Sequence, residues 1–345
     1  MKRILVDVMG GDHAPAETVK GAYLAADELA CELVLVGDRG QIQRVATENG
    51  WDPDRFEIVH TETVITMEDA PIVVRRGKAD SSMGLSLGML AEGKGDAMVS
   101  TGNTGALFAG ATLIVKKIGG VHSPAIAALL PMHPPVLLLD SGASLNVSAD
   151  DLEQFAVLGA VYLKQAMSVE NPRVGLLNTG SEETKGTPLQ IEAFRRLSSN
   201  PTLNFVGNVE GNRVMQDACD VLVCDGFSGN VLLKTMEGMG KLMLKTMKDL
   251  FYRNAVTRAA GLAVKPYLGD VKKNFDATEF GGAPILGVRK PVIKAHGSSD
   301  AKAFKNAIRQ ALACAENDLA GDLSCAISVL CERKKAEKEP NRDAE

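Results

Sequence analysis

The chain reads as an α/β protein: a three-layer αβα arrangement in which helices cover both faces of a mainly parallel, doubly wound sheet. Three observations predict it. Six times a short apolar run ends in a polar, glycine-bearing loop that starts a helix, at Gly10, Gly102, Gly142, Gly180, Gly226 and Gly297, and such alternation builds parallel sheets. The 345 residues are 45% hydrophobic, enough for a sizeable core. No stretch rich in Pro, Gly or Ser marks a boundary, so residues 1–331 are expected to form one domain, and residues 332–345, ERKKAEKEPNRDAE, a solvated tail.

Residues 4–9 are the first strand, and Ala14 and Pro15 open the helix that follows, a position that suits proline. Residues 33–36 are a second strand with a helix from Asp38 to about Glu48, and residues 56–59 a weaker third. Residues 66–90 read mostly as helix with a Ser- and Gly-rich middle. Residues 96–100 then lead through TGNTG into a small-residue helix ending near Lys116. After a turn at residues 131–135, residues 136–139 run through DSGAS (residues 140–144) to a helix over residues 149–167. Residues 174–177 precede a loop at residues 178–186 and a helix around residues 191–197, and residues 221–224 precede the loop at residues 225–230. Finally Val292 and Ile293 pass through Lys294 and Ala295 into His296–Asp300, after which Phe304, Ala307, Ile308, Ala311 and Leu312 mark an amphipathic helix capped by Ser299 or Asp300.

Residues 231–275 depart from this pattern and read as a helical excursion. Val231, Met236, Met239, Met243 and Met247 fall at helical spacing, with Lys234, Lys241, Lys245 and Lys248 between them. Methionine stripes are adaptable packing surfaces, so the sequence favours a subunit interface. An amphipathic tip resting on lipid is the other reading.

A net charge of −5, with no block of like charge before the tail, argues against a nucleic-acid partner. The six cysteines form no CxxC pair and no zinc spacing, which fits a reducing, cytoplasmic setting. The opening MKRILVDVMGGD is too short for a signal core, and no run approaches the roughly 20 apolar residues of a membrane span. Any membrane contact is expected to be peripheral. GxxxxGK[ST], HExxH and GxGxxG are missing, so a dinucleotide is possible only through a less familiar site, and no cofactor and no metal is expected.

What remains is a set of loop amides at helix starts, which favour an anion, together with His13, His296 and Lys185. Read singly, Lys185 is an exposed lysine paired with Glu182 and Glu183, and either histidine is a cap or a satisfied core residue. Read together, six polar loops at one sheet edge point to an anionic ligand.

The stretches DVMGGDHAP (residues 7–15), VSTGNTGA (99–106), LLNTGSEETKG (176–186), CDGFSGNVLLKT (224–235), FGGAP (280–284) and VIKAHGSSDAKA (292–303) closely resemble the bacterial phosphate acyltransferases of phospholipid synthesis. The similarity runs in order from residue 2 to about residue 315. It implies transfer of a fatty acyl group from acyl carrier protein thioester to inorganic phosphate, giving acyl phosphate for a membrane glycerol-3-phosphate acyltransferase. It also implies a homodimer, a fold akin to phosphate acetyltransferases and isopropylmalate dehydrogenases, and loose association with the inner face of the cytoplasmic membrane. The chain has DSGAS where DVGAN is usual in the family, Thr101 where alanine precedes GNTG, and Thr184 where a glycine precedes the lysine. These loops stay small or polar.

The residues suit that reaction without a covalent intermediate. Phosphate is a nucleophile at neutral pH, and a thiolate of pKa about 8.5 leaves without strong acid help. Positioning supplies about 7 to 11 kcal/mol and one oxyanion donor roughly 3 to 4. Lys185 is assigned to phosphate or the developing oxyanion, Asn230 is a neutral donor, and His13 or His296 orients the phosphate proton. Gly11, Asp12, Gly102, Asn103, Thr104, Gly180, Gly226, Ser228, Gly297, Ser298 and Ser299 are assigned to holding phosphate or substrate, and Asn103, Lys185, Asn230 and Ser298 are expected to share one rim. Two rivals stay open: a metal- and nicotinamide-dependent decarboxylating dehydrogenase, using Asp140, Asp225 and Asp300, and a non-enzymatic lipid-binding protein.

Overall fold

The computed structural model describes residues 1–274 and 281–338. Its twelve strands, among the described residues, are β1 (Lys2–Asp7), β2 (Cys31–Gly37), β3 (Glu57–His60), β4 (Ala97–Ser100), β5 (Ala125–Ile126), β6 (Ala128–Leu129), β7 (Leu137–Leu139), β8 (Arg173–Asn178), β9 (Asn204–Glu210), β10 (Val221–Val223), β11 (Ala283–Leu286) and β12 (Val292–Lys294). They form two sheets rather than the single one expected, in the orders β3-β2-β1-β4-β12-β11-β5 and β6-β7-β10-β8-β9. Within each sheet the central strands are parallel, and the antiparallel pairs gather at β11, β5 and β6. Ala127 alone separates β5 from β6, so the chain steps from one sheet to the other across one residue.

The helices are α1 (Ala16–Glu28), α2 (Arg39–Glu48), α3 (Ser82–Ala91), α4 (Thr104–Gly110), α5 (Ala149–Met167), α6 (Pro188–Ser199), α7 (Gly226–Phe251), α8 (Ala255–Asn274), α9 (Ala301–Glu316) and α10 (Leu319–Lys338). Their starts follow from capping side chains. Ser148 and Asp151 make a reciprocal capping box at α5, and Asn103, Asp225 and Asp300 accept backbone N–H bonds at α4, α7 and α9. The parallel strands are apolar on both faces, as Ile4, Leu5 and Val6 illustrate by being wholly buried. Phe155 of α5 and Phe304 of α9 are likewise fully buried in the main core; each contributes about 1.5–3 kcal/mol relative to an exposed ring.

Three sequence expectations change. Residues 66–90 are not one helix: Pro71–Val74 is a single 3-10 turn, Gly77 takes φ +118°, and α3 starts only where Ser81 accepts the Gly84 N–H at 3.1 Å. The strand β9 lay unread, its pattern interrupted by a register shift and by Gly207 at φ +96°. The charged tail is not wholly solvated, because α10 carries on through Lys338 and sends Arg333 and Lys334 to the buried carboxylate of Glu153. A buried carboxylate needs such partners. Residues 339–345 of the tail and 275 of the excursion lie outside the described residues.

Candidate active site

The loops after β1, β4 and β12, adjacent strands of the first sheet, pack on one another. Asp12 donates its N–H to the Gly297 carbonyl at 2.8 Å, and Thr101 Oγ1 donates to the Gly10 carbonyl at 2.5 Å. In the second sheet the loops after β7, β8 and β10 are neighbours in the same way. The loops after β7 and β10 interlock. Asn230, in the first turns of α7, donates from Nδ2 to the Ser141 carbonyl at 3.3 Å, and Gly142 sits against it at φ +139°, where a Cβ would lie 2.6 Å from that nitrogen. Only glycine permits that approach. Gly229 packs equally tightly, since a Cβ there would be driven into the Asp140 carbonyl.

Between the sheets lies a cavity of about 400 Å³. Asn230, Leu233, Lys234, Glu237, Lys241 and Leu244 recur every three or four residues, so one face of α7 makes its wall. Ile126 and Leu129 of the sheet crossing stand opposite, and Lys294 to Ser299 close its polar end. The result joins an apolar surface to a cluster of cations.

Lys294, at the end of β12, donates from Nζ to the carbonyls of Thr101, at 3.3 Å, and Ala295. Burial pulls its ammonium down to about 8, opposed by the charges of Asp7 and Asp12. Asp7 is itself buried, accepts from Ser100 Oγ at 2.6 Å and is raised above the ordinary carboxyl value by desolvation. His296 is held below the usual imidazole value by partial desolvation and by Lys234, with Glu237 opposing. Its Nδ1 accepts the Ser298 N–H at 3.2 Å, which places the proton of the neutral ring on Nε2, and Ser298 Oγ lies 2.9 Å from the same Nδ1.

The structure gathers part of the predicted set. Asn230, Thr104, His296, Gly297, Ser298 and Ser299 line the cavity. Asn103 does not point into it: Nδ2 donates to the carbonyls of Thr66, Met67 and Asp69, and Oδ1 caps α4, so this side chain holds Met67 at the rim. Gly11, Asp12, His13 and Gly102 are not among the lining residues; Gly11 and Asp12 lie against Gly297 and Gly102 against Gly10. Ser228 donates its hydroxyl to Asp225 at 2.7 Å, and Gly226 packs on Ser144. Lys185 and Gly180 belong to the loop after β8 and do not line the cavity. Lys185 is half exposed, its Nζ 4.0 Å from Glu182.

The sequence reading missed Lys294 as a site residue, and with it the inward turn of Lys234, Lys241 and Glu237. The available signal was a lysine ending the apolar run of β12, one residue ahead of HGSS. Asp140, Asp225 and Asp300 are occupied by backbone N–H groups. Among the described residues no three ligating side chains cluster as a metal site.

A two-sheet, largely parallel α/β fold around a cationic and apolar cleft defines the class. Its fold is similar to that of a phosphotransacetylase from Streptococcus pyogenes, with TM-score 0.62 at 19% identity over 91% of this chain and 94% of that one. It is also similar to a 4-hydroxythreonine-4-phosphate dehydrogenase from Klebsiella pneumoniae, with TM-score 0.53 at 10% identity over 91% of this chain and 100% of that one. A family model described as fatty acid synthesis protein matches residues 2–321. A phosphate acyltransferase from Thermoanaerobacterium thermosaccharolyticum is 42% identical over 330 residues, covering 95% of this chain and 97% of its own. The chain belongs to the phosphate acyltransferase family.

Proposed function

We propose that this protein transfers a fatty acyl group from acyl carrier protein thioester to inorganic phosphate and releases acyl phosphate. One observation carries this reading: a single cavity combines an apolar wall with Lys234, Lys241 and Lys294 around His296 and Ser298. An anion and an acyl chain need those two surfaces side by side. Phosphate sits at the His296–Ser298 loop, where Nε2–H of the neutral imidazole and the Lys294 ammonium hold its oxygens. A phosphate oxygen attacks the thioester carbonyl carbon. The C–O bond forms as the C–S bond breaks, and the thiolate leaves and takes a proton from solvent. Asn230 Nδ2 is the neutral donor for the carbonyl oxygen, and Lys185, outside the lining, would have to swing in from the loop of β8, the strand beside β10, to meet the phosphate or the oxyanion. No covalent enzyme intermediate and no cofactor is required.

Acyl phosphate then passes to a membrane glycerol-3-phosphate acyltransferase, and peripheral membrane contact fits that hand-over. No helix among the described residues is long and apolar enough to cross a membrane. The outward faces of α7 and α8 supply apolar surface, with Val231, Met239, Leu242, Leu262 and Val264 exposed. On this reading the α7 face serves a second copy of the chain in a homodimer and the α8 face rests on lipid. Changing Leu262 and Val264 to glutamate abolishes liposome flotation; unchanged flotation removes the lipid role.

The decisive experiment incubates the protein with acyl carrier protein thioester and phosphate and traps the product with hydroxylamine. Phosphate-dependent hydroxamate is expected. Thioester consumption with no phosphate dependence would sink the reading.

A further inference from the structure

Leu129 is a side chain with a cavity on each side. It lines the cleft described above and also a second one of about 310 Å³, lined by Tyr162, Ala166 and Met167 of α5 and by Ala313 and Cys314 of α9. The rest of the partition is pinned. Gly282 donates its N–H to Gln310 Oε1 at 2.8 Å, and Gln310 Nε2 donates to the Tyr162 hydroxyl at 2.7 Å. Leu129 has no such tie. It lies on a strand of two residues and is only half-buried, although it faces Leu137 across the β6–β7 pair.

Size gives the partition a use. An engineered cavity of about 150 Å³ accepts a six-carbon ring, so roughly 25 Å³ serves each carbon. On that scale the first cavity, at about 400 Å³, has room for about sixteen carbons if phosphate and thioester take none of it. With both reactants present, long acyl chains outgrow it. The space on the other side of Leu129 is walled mainly by apolar atoms, of Tyr162, Ala166, Met167, Ala313 and the buried Cys314, with Gln165, Asn306, Arg309, Gln310 and Asn317 completing it.

We infer that the second cavity receives the end of long acyl chains, and that Leu129 is the residue that sets the chain length at which they enter it. This rests on the acyl-transfer reading of the first cavity. A smaller residue at 129 opens the passage and a larger one shuts it, whereas filling the second cavity from its far side shortens the accepted chain without touching the first.

The test compares kcat/KM for octadecanoyl and decanoyl carrier-protein thioesters in the full chain, with folding verified by circular dichroism. Leu129→Ala should raise the octadecanoyl-to-decanoyl ratio about tenfold, and Leu129→Phe should lower it by about as much. Ala166→Phe, placed at the exposed end of α5, should also lower the ratio. Ratios within twofold of wild type in all three variants overturn the inference. So does a shift confined to the Leu129 variants, because the chain would then end in the first cavity. Failure of the acyl-transfer reading is a separate outcome, seen as phosphate-independent turnover of both thioesters.

Discussion

Helices α7 and α9 begin alike and end differently. Each follows a short parallel strand, and each is capped by an aspartate, Asp225 accepting the Ser228 N–H at 2.9 Å and Asp300 the Ala303 N–H at 2.8 Å. Beyond the first turn they diverge. The sixteen residues of α9 bury Phe304, Ala307, Ile308 and Ala311, whereas the twenty-six of α7 bury only Gly226, Gly229 and Gly240. The shared start builds a capped polar loop after each strand. The remainder of each helix decides whether it holds the core together or walls a cavity and faces outward.

That contrast is open to attack at several strengths. Phe304→Ala should cost about 3–5 kcal/mol of unfolding free energy, read by denaturant titration; a loss below 1 kcal/mol would mean that α9 is not the structural partner. Lys294→Met should lower kcat/KM for phosphate by about a hundredfold. The wild-type phosphate affinity should weaken as pH rises past about 8, because only the protonated ammonium attracts the anion. The stability effect has the opposite sign. The folded value lies below the ordinary lysine value of 10.5, so the unfolded chain binds more protons between those limits and the cost of the buried charge is relieved as pH climbs through them. A pH-independent phosphate affinity that persists in Lys294→Met would remove this residue from the site. Lys185→Ala should reduce turnover about tenfold; activity within twofold would confine the chemistry to the cavity lining. The smallest effect belongs to Met239→Ala on α7, within about 0.5 kcal/mol for a single chain at high dilution. A larger loss that grows with protein concentration would locate the subunit contact there.

The repeated strand, loop and helix units were legible because each rests on local pattern: an apolar run, a glycine, a cap, a 3.6-residue period. The division into two sheets was not, since β5 and β6 are two residues each and carry no period. The loop residues of the site, His296 to Ser299 and Asn230, were readable for the same local reason. Lys294 was not, because a lysine closing a strand looks like an exposed edge until Thr101, 193 residues away, supplies its carbonyl. The charged end of α10 misled in the same manner. Its partner Glu153 lies 180 residues earlier on α5, and no window of sequence contains both.

The single-residue step at Ala127 has a consequence for how the molecule responds to its ligands. The Gly297 loop belongs to one sheet and Asn230 to the helix rooted in the other, so whatever occupies the cleft is clasped by both halves. Occupancy should therefore act as a fastener across the seam that the backbone crosses at Ala127 and again between β10 and β11, and amide exchange should slow together in β12 and β10 when phosphate is added.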